Sequence, residues 1–360
     1  MNDVLLTVSG VIDPEIEAKI ARGERPKADY IAMSRAFEAD IIDYAAAQQQ
    51  AGPIARLLSK VFGRNILLAW VCFSLRRRYR VIFTDGEQVG IWLALFLKFF
   101  GRGDRARHLM IAHLISVPKK MIFFDRLGLQ SHVDVFFVYS SWQKRFIEER
   151  WQVPPERVVW TPFMVDADFF SPAQAGKVDL KLGLKNRDAP PLCAVGLEFR
   201  DYATLMTAVK DLDIQVVIAA ASPWSKRQDT TAEQEIPENV LVRRFSQFEL
   251  RDLYAMCCFF VMPLYNVEFQ AGVTAILEAM AMEKAVICSQ TPGQTDVVVE
   301  GENGLYVPPE DPAALRKAIC DLLADVETAR QMGRNGRSLI EQKMSLERYV
   351  EGLLPYVRQE

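Results

Sequence analysis

The sequence predicts an α/β protein made of two doubly wound domains, each a parallel sheet covered by helices on both faces. Three observations predict it. Short apolar runs alternate with segments of helical period along nearly the whole chain. The length of 360 residues is long for one core and comfortable for two. Residues 259–307 lay out a complete strand, loop, helix and strand in order, the unit from which such sheets are built.

In the first half, an apolar strand at 4–8 ends at Ser9-Gly10, a sharp strand-to-helix turn, and Pro14 opens a helix to residue 21. A helix at 30–37 leads to a strand at 40–44. After Gly52-Pro53 come helices at 54–62 and 66–75, the latter ending in Arg76, Arg77, Arg78 and Arg80. Strand 81–84 closes at Asp85-Gly86 before helix 89–100. Strand 108–112 carries His113 just past its last residue. Helix 119–127, strand 133–139, helix 142–151 and strand 158–160 complete this half.

The segment from Pro162 to Pro172 changes character between two prolines, and strand 192–195 begins the second half. Helix 202–212, strand 214–219, the basic loop around Lys226 and Arg227, strand 240–243 and helix 249–255 follow. The run 259–264 is too short for a core helix and is bounded by Pro263, so it reads as a buried parallel strand. A polar loop, 265–270, precedes a helix from Ala271, whose Val273, Ile276, Leu277, Met280 and Ala281 recur at helical spacing, and strand 285–288 follows. Asp311 with Pro312 caps a helix at 313–324, and the last helix spans 346–357.

Half of the residues are apolar and a quarter are charged, as in a soluble globular protein, and the net charge of −3 argues against nucleic acid as the main partner. Six cysteines sit mostly inside apolar runs and form no CxxC pair, the pattern of small buried hydrophobes in a reducing compartment. No basic segment followed by a long apolar run opens the chain, so no signal peptide is expected, and no run reaches the ~18 apolar residues of a membrane span. A cytoplasmic protein is expected.

In an α/β sheet, ligands gather where the strands end and the helices begin. The first turn after the 265–270 loop is small: Ala271, Gly272, Val273, Thr274. Small side chains there let unpaired backbone N–H groups, at the positive end of the helix dipole, approach an anion such as a phosphate. Glu278 projects from the same helix. Asp166 and Asp168 have the spacing of a metal-binding pair, but they lie in the segment between the two halves and no metal is expected there.

This order of residues resembles the nucleotide-sugar site of retaining glycosyltransferases with the GT-B fold, two Rossmann-like domains facing a cleft. Their signature is Glu, seven residues, Glu, then Ala-Met-Ala. Here the second Glu is Glu278, followed by Ala279-Met280-Ala281, while Gln270 stands in the place of the first. Pro292-Gly293-Gln294 and Gly301-Glu302-Asn303-Gly304 look like the family's glycine-rich loop and following turn. The resemblance implies that Glu278 holds the ribose hydroxyls and that Gln270 contacts the donor sugar near the reacting carbon. It implies that His113 touches that sugar and helps stabilise the departing charge, that Gly10 lies against donor or acceptor, and that the backbone near Phe245 meets the base. The family's diphosphate Arg is replaced by Leu197, while Arg200 falls near its Lys, so Lys226 or Arg227 is expected to supply the second cation; a solvated basic loop is the other reading.

The domains implied are 1–165, with 346–360 packing back on it, and 173–345. The activity implied is metal-independent transfer of a hexose from a nucleoside diphosphate sugar to an unknown acceptor with retention, with no further cofactor. The basic stretch Arg76 to Arg80, beside Trp70, Phe73 and Leu75, reads either as a solvated helix end or as a contact with the inner, anionic face of a membrane. A catalytically silent nucleotide-sugar-binding protein, or a membrane-docked regulator of the same fold, is the alternative.

Overall fold

The computed structural model describes residues 2–101, 106–176, 180–183, 189–220 and 236–359. The chain divides into two compact units, one comprising Met1–Ala18, Lys27–Pro162 and Tyr349–Glu360, the other Lys19–Pro26 and Phe163–Arg348.

The first unit is built, in chain order, from β1 (Val4–Thr7), α1 (Ile16–Ala21), α2 (Asp29–Phe37), β2 (Ala39–Ile42), α3 (Tyr44–Gln50), α4 (Pro53–Phe62), α5 (Arg64–Leu75), β3 (Val81–Thr84), α6 (Glu87–Phe100), β4 (Arg107–Ala112), α7 (Pro118–Asp125), β5 (Val135–Val138), α8 (Ser141–Trp151) and β6 (Val158–Trp160). Its six strands are all parallel, in the order β2-β1-β3-β4-β5-β6. Because both faces of such a sheet are covered, β1, β3 and β5 are buried at every position, which is why they read as unbroken apolar runs. One face packs on α5 and α6 through Leu67, Leu68, Val89 and Leu93; the other side of α6 joins Phe124, Phe136 and Ile147.

The second unit holds β7 (Leu192–Val195), α9 (Tyr202–Val209), β8 (Val216–Ala219), β9 (Val240–Val242), α10 (Gln247–Met256), β10 (Phe260–Met262), α11 (Val273–Ala281), β11 (Val286–Ser289), β12 (Gly304–Val307), α12 (Pro312–Ala324) and α13 (Val326–Leu339). Its sheet is also parallel, in the order β12-β11-β10-β7-β8-β9. Two apolar clusters lie on its two faces; α11, buried at every position but Thr274, anchors one of them with Ile276, Leu277 and Met280. Each such side chain taken fully from water contributes about 1.5–3 kcal/mol. The last helix, α14 (Leu346–Arg358), reaches into the first unit, where Arg80 and Arg107 donate to the carbonyls of Tyr356, Val357 and Gln359.

The chain departs from the sequence expectation at several elements. α3 was not expected, because its Ala-Ala-Ala-Gln-Gln-Gln carries no apolar period; Asp43 starts it by accepting the Ala46 N–H at 2.7 Å. The sequence does not mark β12 as a strand, because its first residues fall in the Gly301-to-Leu305 stretch that looks like the family's loop and turn, and as an edge strand with half-buried Leu305 and Tyr306 it has an apolar run of only three residues. α9 stops at Val209 rather than at 212. Asp166 is buried and accepts from the backbone N–H groups of Asp168 and Phe169, so it caps a turn of the linker. Among the described residues no cluster of His, Cys, Asp and Glu could hold a metal, and no helix is long and apolar enough to cross a membrane.

Candidate active site

In the second unit the site is assembled at the carboxyl ends of β7 and β10 and the start of α11. The helix begins at Val273, two residues later than the sequence suggested, because Gly272 takes the left-handed conformation with φ 74° and serves as N-cap. A Cβ on Gly272 would stand 2.8 Å from the sulfur of Met262 and 2.9 Å from Nη2 of Arg200. Glycine there is demanded twice, by conformation and by room.

Arg200 is 7% exposed. Its Nε donates to the carbonyl of Val195 at 3.0 Å and its Nη1 to that of Glu198 at 2.7 Å. These bonds leave Nη2 beside Gly272 and Gly196; the latter is also left-handed, at φ 107°, and a Cβ on it would lie 2.3 Å from Nη2. Burial pulls the Arg200 pKa below its ordinary value, yet a guanidinium keeps its proton. The result is a fixed cation set against the N-terminal turn of a helix, an arrangement that favours a phosphate group.

Glu278, one and a half turns further along α11, is 8% exposed and accepts a hydrogen bond from the Tyr254 hydroxyl at 2.9 Å. Burial pushes its carboxyl up to about 7, against a smaller opposing effect of that bond. Around the preceding loop, Gln294 donates from Nε2 to the carbonyl of Ala271, and the Ala271 N–H donates to the carbonyl of Phe269 at 2.8 Å. A Cβ on Gly293 would come within 2.2 Å of the Phe269 backbone, so this glycine lets the 291–294 loop close against the loop that carries Gln270. The Gln270 Oε1 is buried without a hydrogen-bond partner among the described residues, as is the Oγ1 of Thr291. Two orphaned polar atoms on adjoining loops are costly unless something supplies partners.

Thr274 is exposed on the first turn of α11, whereas Ala271 and Val273 are buried. Phe245 lies just beyond β9, half-buried, with the Arg243 guanidinium 5.1 Å over its ring. Glu268, two residues before Gln270, is exposed. Lys226 and Arg227 lie outside the described residues.

In the first unit, Gly10 and His113 stand at the carboxyl edge of the sheet with a group that sequence reasoning passed over. Asp85 accepts from the Thr7 hydroxyl at 2.6 Å, the Ser9 N–H at 2.5 Å and the Ser9 hydroxyl at 2.8 Å, and so fixes the loop leading to Gly10. Burial raises the Asp85 carboxyl above the ordinary range, with these bonds working the other way. Gly10 itself has open space where a Cβ would sit, so the turn does not require glycine.

His113 is exposed; its backbone N–H donates to Glu87 Oε2 at 2.8 Å, and its ring Nε2 meets the Asp85 carbonyl at 2.9 Å. A carbonyl only accepts, so Nε2 carries the proton, and in the neutral ring Nδ1 holds the lone pair. Glu87 is buried and also takes the Lys120 ammonium at 2.5 Å. Burial works to raise its carboxyl, but His113 and Lys120 outweigh it and hold the group below its ordinary value. Asp29, whose carboxyl burial pushes up, also feels His113. His108 is fully buried between Thr84 and the carbonyl of His132 and has a structural place. The sequence signal for Asp85 and Glu87 was their position directly after the apolar run of β3; their partners come from β1 and β4 and could not be read locally.

Residues 200–339 match the family described as Glycosyl transferases group 1. An uncharacterized glycosyltransferase of Methanocaldococcus jannaschii is 29% identical over 150 residues, which cover 41% of this chain and 42% of that protein. The match thus spans about two fifths of that relative's length. The fold extends over the whole chain: sucrose-phosphate synthase from Thermosynechococcus elongatus superposes with a TM-score of 0.73 at 20% identity, covering 100% of this chain and 99% of its own. Anabaena HepE in complex with UDP-glucose gives 0.70 at 14% identity, covering 98% of each. The two parallel six-stranded sheets with their helices give the GT-B fold.

Proposed function

We propose, from the premise that residues 200–339 form a group 1 glycosyl transferase domain, that this protein moves a hexose from a nucleoside diphosphate sugar to an acceptor with retention of anomeric configuration. The observation that carries this reading is the Arg200 Nη2, locked between the left-handed Gly196 and Gly272 at the start of α11. A diphosphate seated there meets the helix N-terminus and a cation whose orientation is already fixed. As the glycosidic bond loosens, negative charge grows on the leaving diphosphate, and prearranged donors stabilise that charge without reorganising. This requires no metal.

Glu278 holds the ribose hydroxyls, with Tyr254 orienting the carboxylate. Gln270 turns its unpartnered Oε1 toward donor hydroxyls, a role in which an amide can replace a carboxylate. Lys226 or Arg227 adds the second cation at the diphosphate. In the first unit His113 offers the Nδ1 lone pair to a sugar hydroxyl, on a ring held by the Asp85 carbonyl. The solved complex of HepE with UDP-glucose supports a uridine nucleotide as the first donor to try.

The orphaned amide also favours a second reading, a protein that binds the donor without transferring it. Thermal shift against UDP-glucose, UDP and uridine tests donor binding, since a ligand of the folded state raises its stability. Release of UDP from UDP-glucose separates the two readings. Binding of UDP no tighter than of uridine sinks the diphosphate role of Arg200.

A further inference from the structure

Strand register brings His113 and Tyr139 together. β4 and β5 are parallel neighbours in which Ala112 stands opposite Val138, so the residues that follow, His113 and Tyr139, leave the carboxyl edge side by side. Their rings lie 5.2 Å apart at an angle of 53°, within the range over which aromatic rings attract. The Asp85 carbonyl fixes one atom of the imidazole, Nε2. A single hydrogen bond leaves the tilt of the ring open, and the Tyr139 ring packed beside it closes that freedom. The Nδ1 lone pair lies in the ring plane, so its direction follows the tilt.

Tyr139 is itself held from behind. It is 6% exposed, and its hydroxyl lies 3.2 Å from that of Tyr349, which is 2% exposed and belongs to the part of α14 that joins the first unit. The two rings lie 6.3 Å apart. Burial above all pushes both phenols up, and the carboxylates of Asp29 and Asp85 act in the same direction, so both hydroxyls keep their protons. The pair is therefore neutral and hydrogen-bonded to itself. Phenylalanine at both positions would fill nearly the same space and leave no polar group to satisfy. What the hydroxyls add over two such rings is direction, the usual gain from a buried polar pair whose members satisfy each other.

We propose, on the reading that His113 acts on the donor sugar, that Tyr349 is a positioning residue for it: the hydroxyl bond to Tyr139 fixes the tilt of the His113 ring and with it the aim of the Nδ1 lone pair. The last helix thereby helps to set the edge that bears His113, from a position more than two hundred residues away in the sequence.

The chain has three histidines, His108, His113 and His132, so isotope labelling of histidine in the full chain gives few ring signals in NMR spectra, and H113A assigns that of His113. Y349F is expected to shift the His113 ring signals and leave those of His132 in place. With UDP-glucose as donor, kcat is expected to fall about tenfold while KM for the donor stays near the wild-type value. Y139F/Y349F leaves no orphaned hydroxyl, so it should melt near the wild-type temperature and show the same loss of kcat, which separates lost aim from lost fold. In the H113A background, Y349F should change kcat by less than about twofold, because the two residues act as one unit. Unchanged His113 signals in Y349F overturn the proposal. So does an unchanged kcat, and so does a loss of equal size with and without His113, which would give Tyr349 to the fold alone. A wild type that turns over no donor sinks the transfer reading instead, and the His113 signals then decide on Tyr349 by themselves.

Discussion

Glu278→Gln should raise the stability of the ligand-free protein and lower its affinity for donor. The carboxyl of Glu278 is buried, its bonded neighbour is a neutral tyrosine hydroxyl, and its pKa rises from 4.5 to about 7. A raised acid pKa means that the folded state holds the proton more tightly than the unfolded one, so stability falls as pH rises from the unfolded to the folded value. The full penalty is reached above pH ~7 and is absent well below 4.5. At about 1.4 kcal/mol per unit, the shift amounts to roughly 3 kcal/mol, of which about 2 to 3 kcal/mol develops between pH 5 and 8. Glutamine cannot ionise and still accepts from Tyr254. The difference in unfolding free energy between variant and wild type, from urea titrations, should therefore be small at pH 5 and reach about 2 to 3 kcal/mol in favour of the variant at pH 8. In the same samples, donor binding should weaken by about 1 to 3 kcal/mol, because the ribose hydroxyls lose a charged acceptor. A difference in stability that does not grow with pH, or a variant that is less stable at pH 8, would refute the argument that Glu278 is buried at a cost and retained for a ligand.

Arg200→Ala should weaken binding of UDP at least tenfold more than binding of uridine, by calorimetry; equal losses would assign Arg200 to the fold alone. Gly272→Ala should cost about 1 to 3 kcal/mol in urea unfolding, since alanine must adopt a left-handed φ and displace Met262 or Arg200. A neutral result would say that the turn relaxes freely. Asp85→Asn should raise KM for the acceptor more than for the donor, because the Ser9–Gly10 loop loses its anchor, and a change confined to donor KM would place this loop elsewhere in the reaction. Gln270→Glu should leave turnover within about tenfold, a barrier change of ~1.4 kcal/mol; a revival from no activity would mark the wild type as a binding protein.

The parallel sheets were legible because burial on both faces writes each strand as an apolar run: 81–84 and 192–195 match β3 and β7 to the residue. α3 and β12 were not legible, the first because alanine and glutamine carry no period, the second because an edge strand shares its surface with solvent. The helix bearing Glu278 and the loop before it could be placed from local order. Arg200 was legible as a residue near the site, but the two glycines that clamp its guanidinium come from positions 196 and 272, brought together only by the pairing of β7 with β10. Thr291 shows the same limit: its side chain became notable only once burial left its hydroxyl without a partner.

Incubation of the full chain with UDP-glucose and a panel of sugar, lipid and phenolic acceptors, followed by proton NMR of the anomeric signal, tests the central claim most directly. Release of UDP should accompany a new α-glucosidic signal, the configuration of the donor kept. A protein that is stabilised by UDP-glucose yet releases no UDP, with any acceptor or by slow hydrolysis, would contradict the account, and a β-linked product would contradict retention.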